Sequence, residues 1–165
     1  MSTRGAVGMR YNGVEKVGYN HWDSYPSGLG ISVLNWLKGK TLAKMKDIFK
    51  SIVAIKDDNY DNNLNDVWDG DNEKMNDTFR DTHDFLYDSL FCEFAYIVNL
   101  DDKTLEIYKG FNKSPGGKGR YADKFVDNLS GDRYYGVTLW LSIPLKEVFA
   151  GKWAVLTDVD RFVKG

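Results

Sequence analysis

The dipeptide Asn12-Gly13 narrows what this chain can fold into more than any other feature. It sits between apolar-rich runs at 6–11 and 14–19 and tolerates the positive φ angles that a type I′ turn requires, which predicts a tight two-residue hairpin. Such a turn fixes register. Tyr11 faces Val14, Arg10 faces Glu15 as an opposite-charge pair, and Ala6 faces Tyr19. Carried past the strands, the same register sets Arg4 opposite His21 and Ser2 opposite Asp23. Residues of like parity share a face, so Ser2, Arg4, His21 and Asp23 are expected to project together at the open end of the hairpin.

Beyond the hairpin, Tyr25-Pro26 calls for an extended residue before the proline, and Ser27 is the expected N-cap of a helix over 27–38. Its inward positions would be Leu29, Val33, Leu34 and Leu37, and Gly39 would end it. A second helix is predicted over 41–55, with Leu42, Met45, Ile48, Phe49, Ile52 and Val53 at helical spacing. Residues 57–73 hold seven acids and no Lys or Arg, which reads as a solvated loop or helical excursion, and a third helix is expected over 73–89. A second hairpin follows, 92–99 with 104–109 around Asp101-Asp102, then a glycine-rich loop at 114–119, a strand over 135–142 and a short helix opened by Pro144-Leu145.

Hairpins separated by helices predict an α+β fold: one antiparallel sheet, or two stacked as a layered sandwich, with helices packed outside. With 165 residues and 42% apolar content, 1–165 is expected to form a single domain. The net charge of −2 argues against duplex nucleic acid as a partner. The single Cys92 lies in an apolar run and has no intrachain disulfide partner, and neither a leader nor a membrane-spanning run is read. The expectation is therefore a cytoplasmic protein with no membrane partner.

The densest polar chemistry lies where the second strand gives way to the first helix. His21, Asp23 and Ser24 invite a base, orienter and nucleophile reading, although strand parity turns Ser24 away from the other two. Trimming of Met1 would leave Ser2 with a free amine at the head of the hairpin. That arrangement resembles the N-terminal nucleophile hydrolases, and the resemblance implies Ser2 as nucleophile. A third reading uses the amides of Ser27, Gly28 and Gly30 at a helix start, with Arg4, as an anion site walled by Tyr19, Trp22 and Tyr25.

Other motifs carry less. Gly116-Gly117-Lys118-Gly119-Arg120 lacks the ending of a phosphate-binding P-loop and reads as a basic surface loop able to close over an anion. Asp66, Asp69 and Asp71 are out of register with a calcium loop, and His83 has no second His or Cys near it for zinc, so neither a metal nor a cofactor is expected.

Two patterns together resemble small, mostly uncharacterised proteins of tailed bacteriophages and prophages. The first is Thr3-Arg4-Gly5 with Tyr19-Asn20-His21-Trp22-Asp23-Ser24-Tyr25-Pro26-Ser27-Gly28-Leu29-Gly30. The second is Cys92-Glu93-Phe94-Ala95-Tyr96-Ile97-Val98-Asn99-Leu100-Asp101 with Leu105-Glu106-Ile107-Tyr108-Lys109-Gly110-Phe111. The resemblance implies an accessory protein of host takeover or anti-defence, acting in the infected bacterial cytoplasm. On this reading the protein binds a small anionic ligand, for instance a nucleotide, through Arg4, Tyr19, His21, Trp22, Asp23, Ser24, Tyr25, Ser27, Gly28 and Gly30. Two alternatives stand beside it: a hydrolase using His21, Asp23 and Ser24 or Ser2, and an inhibitor of a host defence enzyme acting through the acidic 57–73 surface.

Overall fold

The computed structural model describes residues 3–56, 64–127 and 133–152. Strands β1 (Gly5–Tyr11) and β2 (Val14–Asn20) form the expected hairpin, with Tyr11 facing Val14, Arg10 facing Glu15 and Ala6 facing Tyr19. Both turn residues take positive φ, 51° at Asn12 and 74° at Gly13. After a wide turn at Pro26–Gly30 come helices α1 (Ile31–Leu37) and α2 (Leu42–Ser51), then the short strands β3 (Val53–Ile55), β4 (Trp68–Asp69), β5 (Lys74–Met75) and β6 (Thr78–Arg80). A 3₁₀ turn at His83–Tyr87 leads to the second hairpin, β7 (Phe94–Asn99) and β8 (Thr104–Lys109). The chain continues through β9 (Phe125–Asp127), β10 (Arg133–Tyr135), β11 (Thr138–Pro144) and α3 (Leu145–Phe149).

The fold is α+β. Its main sheet runs in the order β11-β8-β7-β1-β2. Neighbours are antiparallel except β1 and β7, which pair in parallel from Gly5 opposite Phe94 to Arg10 opposite Asn99. The two hairpins thus lie side by side with their turns at one end, and Asp101 in the second turn accepts the backbone amides of Asn12 and Gly13 in the first, at 2.7 and 2.9 Å.

Strand alternation divides the core in two. Val7, Met9, Tyr96, Val98, Leu105 and Ile107 face one way, where Leu29, Val33, Leu34 and Leu37 of the first helical segment, Met45 and Phe49 of α2, and Leu145 and Val148 of α3 cover them. Ala6, Val17, Ala95, Ile97 and Tyr108 face the other way, under Leu86, Cys92, Tyr121 and Val137 from the 3₁₀ turn and connecting loops. Helices therefore pack outside the sheet as expected, while the opposite layer is irregular chain rather than a second stacked sheet. Cys92 is fully buried just ahead of β7, and burial pushes its thiol well above the usual range.

Four expectations need correction. Ser27 does not cap α1: it lies exposed within the wide turn, whose entry at Tyr25 has no side-chain cap. The helix expected over 41–55 begins on cue, with Thr41 Oγ1 accepting the Lys44 amide at 3.1 Å, but it stops at Ser51. Ile52 is extended, and the β-branched Val53–Ile55 run joins β6 in parallel. No helix spans 73–89. Met75 and Phe79 are four apart, a spacing that one helical turn and two strand alternations satisfy equally, and both are buried from strands. Asn76 decides between the two by giving its side-chain amide to the Asp66 carbonyl at 2.6 Å and its backbone amide to Val67 at 2.8 Å, which fixes a turn. The strand expected over 135–142 is split, with β10 ending at Tyr135 and β11 running from Thr138 to Pro144.

Candidate functional site

At the open end of the first hairpin the ladder stops at Gly5 opposite Asn20, and the register then slips by two residues. The Ser24 amide reaches the Thr3 carbonyl at 3.3 Å, where unbroken pairing would have placed Trp22. Asp23, at φ 50°, turns the chain, and Asn20 holds the slip, its buried amide donating to the Trp22 carbonyl at 2.6 Å and to Ser24 Oγ at 2.9 Å. From β7 the Tyr96 hydroxyl donates to the Ser24 carbonyl at 2.8 Å. Asn20 and Tyr96 escaped the sequence reading. A primary amide closing a strand was the available signal for the first, whereas nothing local marked the second.

This corner settles the fate of several candidates. Ser24 is fully buried and its hydroxyl is engaged by Asn20, so Ser24 as nucleophile is corrected to a structural residue. The Nδ1 of His21 pairs instead with the Tyr19 hydroxyl at 2.6 Å. Ser2 lies outside the described residues. The amides of Gly28 and Gly30, expected to hold an anion, both donate to the Tyr25 carbonyl, at 3.0 and 3.2 Å. These glycines serve close packing: a Cβ on Gly28 would stand 2.5 Å from the Asp23 carbonyl oxygen, and one on Gly30 would stand 3.1 Å from the Tyr96 ring.

The remaining candidates lie at the same end of the hairpin, Arg4, Tyr19 and His21 half-buried and Trp22, Asp23 and Tyr25 exposed. The Arg4 guanidinium carbon lies 5.3 Å from the centre of the Phe91 ring, and its charge acts on the Tyr19 hydroxyl. Burial raises the Tyr19 pKa, and Arg4 opposes that rise. No carboxylate pairs with the Arg4 guanidinium among the described residues. His21 stacks edge-on against Trp22 at 4.6 Å, and its backbone amide donates to Asp66 at 3.3 Å. Burial raises the Asp66 pKa, tempered by that amide. Trp22 is 66% exposed, Tyr25 40% and Phe91 43%, a concentration of rings that folding alone does not call for.

The turn end of the hairpin carries a second cluster, of which only the Arg10–Glu15 pair follows from hairpin register. Glu15 accepts from His83 Nε2 at 2.6 Å, from the Tyr121 hydroxyl at 2.5 Å and from Arg120 at 3.1 Å, and it pairs with Arg10 at 3.2 Å. Arg120 also forks onto buried Glu106 at 2.8 and 2.7 Å. The cation at the end of the glycine-rich loop is thus spent on two carboxylates rather than free to close over an anion. Burial alone would push the Glu15 carboxyl up, but the His83 and Tyr121 hydrogen bonds and the Arg120 charge outweigh it and bring it down to about 2. The hydrogen bond to Glu15 raises His83 in turn, against its burial. A cleft of about 850 Å³, lined by Gly13, Lys16, Lys56, Asp81 and Thr82 among others, runs beside His83.

In the acidic segment, 57–63 fall outside the described residues. Beyond them Val67 and Trp68 are buried, and Asp69 closes its own turn by accepting from the Asp71 and Asn72 amides at 3.1 and 3.3 Å. Among the described residues no three His, Cys, Asp or Glu side chains converge as metal ligands, and no helix is long and apolar enough to cross a membrane. Compared with protein-family models, curated proteins and solved structures, the chain matches none.

Proposed function

We propose that the protein is a binding protein whose open-end face takes a small anionic ligand bearing a flat ring, a nucleotide being the form of that chemistry most available in a cell. The observation that carries this reading is the Arg4 guanidinium, a cation held over the exposed Phe91 ring with no carboxylate partner among the described residues, at the hairpin end where Trp22 and Tyr25 are also exposed. Arg4 meets the anion with charge-assisted hydrogen bonds, Trp22 and Tyr25 offer ring faces, and His21 and Asp23 add polar contacts at the rim. The anion contact rests on side chains, because the glycine amides are already used. The buried state of Ser24 favours holding a ligand over cutting a bond. The resemblance to tailed-phage proteins sets such a binder in an infected bacterial cytoplasm, in host takeover or anti-defence.

Calorimetry with a panel of cyclic and linear nucleotides tests the reading. The expected result is saturable heat with at least one of them, weakened about tenfold or more by Arg4→Ala. Absence of heat with every nucleotide, or affinity indifferent to Arg4, would sink it.

A further inference from the structure

A second cavity lies far along the chain from Arg4, where α3 meets the α1–α2 connection and the β7–β8 turn. It measures about 730 Å³, within the roughly 300–1,000 Å³ typical of small-molecule sites. Leu42, Leu145 and Phe149 give it an apolar floor. Its rim carries Lys40, Lys103 and Lys146, and none of the described residues lining it is acidic. In a chain with more acids than bases, three cations from three separate elements converging on one apolar hollow are a local reversal of charge.

The cavity walls are tied together without help from a ligand. The Gly39 amide donates to the Phe149 carbonyl at 2.8 Å, and the Leu145 amide donates to the Lys103 carbonyl at 2.9 Å. Lys40 is held in place: its ammonium donates to the Trp36 carbonyl at 2.6 Å and stands 5.1 Å from the Trp36 ring centre. Lys103 and Lys146 are exposed, and neither has an ion-pair partner among the described residues. The nearest carboxylate in sequence to Lys103, that of Asp102, accepts from Asn99 at 3.1 Å. A pre-formed apolar hollow keeps the ordering cost of binding low, and unpaired ammonium groups at its mouth select the charge of what enters.

We propose that this cavity binds a single-headed amphipathic anion, a free aliphatic carboxylate whose chain lies on Leu42, Leu145 and Phe149 and whose head group meets Lys103 and Lys146. The choice of an anion rests on the lysine rim, and the choice of an aliphatic body rests on the floor. A monomeric acid fits a hollow of this size, whereas a bilayer surface would need an exposed apolar face beyond it.

The test titrates the full chain with octanoate, decanoate and dodecanoate below their micellar concentrations. Dodecanol, dodecyltrimethylammonium and phosphatidylglycerol vesicles serve as comparisons. Affinity is expected to rise with chain length, by up to roughly fourfold per methylene. Lys103→Gln with Lys146→Gln should weaken dodecanoate about tenfold or more while changing dodecanol less than about twofold, and circular dichroism should show the fold unchanged. Arg4→Ala should leave dodecanoate binding intact. No saturable binding, equal affinity for the trimethylammonium probe, indifference to the lysine pair, or binding to vesicles alone would each overturn the proposal. So would sedimentation showing that a second copy of the chain occupies the hollow.

Discussion

At the turn end of the first hairpin, Glu15 gathers His83, Arg10, Arg120 and Tyr121, and every charge there finds an opposite charge inside the protein. At the open end, the Glu93 carboxylate accepts the Arg4 backbone amide at 3.1 Å, while the Arg4 guanidinium lies over the Phe91 ring and pairs with no carboxylate among the described residues. The two ends belong to the same pair of strands, so their difference is not one of secondary structure. It lies in what the rest of the chain brings to each. The loop carrying Arg120 and the 3₁₀ turn carrying His83 close over the first end, while the register slip at Asn20 turns Trp22 and Tyr25 outward at the second. A buried, mutually satisfied charge cluster fixes where segments dock, and an unsatisfied surface cation beside rings is poised for a partner from outside.

The sharpest way to break this contrast is Arg120→Ala, which strands Glu15 and Glu106 in the interior without their shared cation. Urea unfolding should show a loss of about 3–5 kcal/mol. A loss near zero would mean that the cluster does not hold the loop to the sheet.

Acid titration of stability probes the same end without a mutation at Arg120. Glu15 is depressed from 4.5 to about 2, so its contribution is complete above pH 4.5 and disappears as pH falls through the folded-state value. Solvent screening of this half-buried site keeps the amount below about 3 kcal/mol. His83 has the opposite sign: being raised above 6.5, it contributes fully below that pH, and its contribution is lost as pH rises through the folded-state value. Stability should therefore be greatest between about pH 4.5 and 6.5, and Glu15→Gln should flatten both limbs.

A smaller effect is expected at the open end. Asn20→Ala removes both side-chain hydrogen bonds that hold the slip and should cost about 1–3 kcal/mol by denaturant unfolding. It should also disturb nucleotide binding, because Trp22 and Ser24 lose their anchor. Arg4→Ala, by contrast, should shift stability by less than about 0.5 kcal/mol while weakening the ligand, a separation that the charge-satisfied end does not permit.

Local chemistry made much of the fold legible. Asn12-Gly13 dictated a turn whose geometry left one register, and Arg10 opposite Glu15 agreed with it. Thr41 marked where α2 begins, Gly39 where α1 gives out, and alternation in 104–109 set which side chains of β8 face the helices. The failures share one cause, a local pattern compatible with two structures. Met75 and Phe79 suit helix and strand alike, and Val53 continues a helical stripe as readily as it begins a strand. The choice came from partners distant in the chain, with β6 pairing to β3 and Asn76 reaching Asp66.

The candidate site divides in the same way. Sequence alone determined that Arg4, His21, Trp22 and Tyr25 lie near one end of one hairpin, because hairpin register is a short-range property of a two-residue turn. It could not determine that the Gly28 and Gly30 amides are consumed or that Ser24 is buried, since both depend on how the corner after Asn20 folds onto Thr3 and Tyr96. Nor could it bring Arg120 to Glu15, which are 105 residues apart. Contacts at such separations are decided by which segments cover the sheet. That is a property of the packed molecule, in which buried charges must find each other and exposed ones need not.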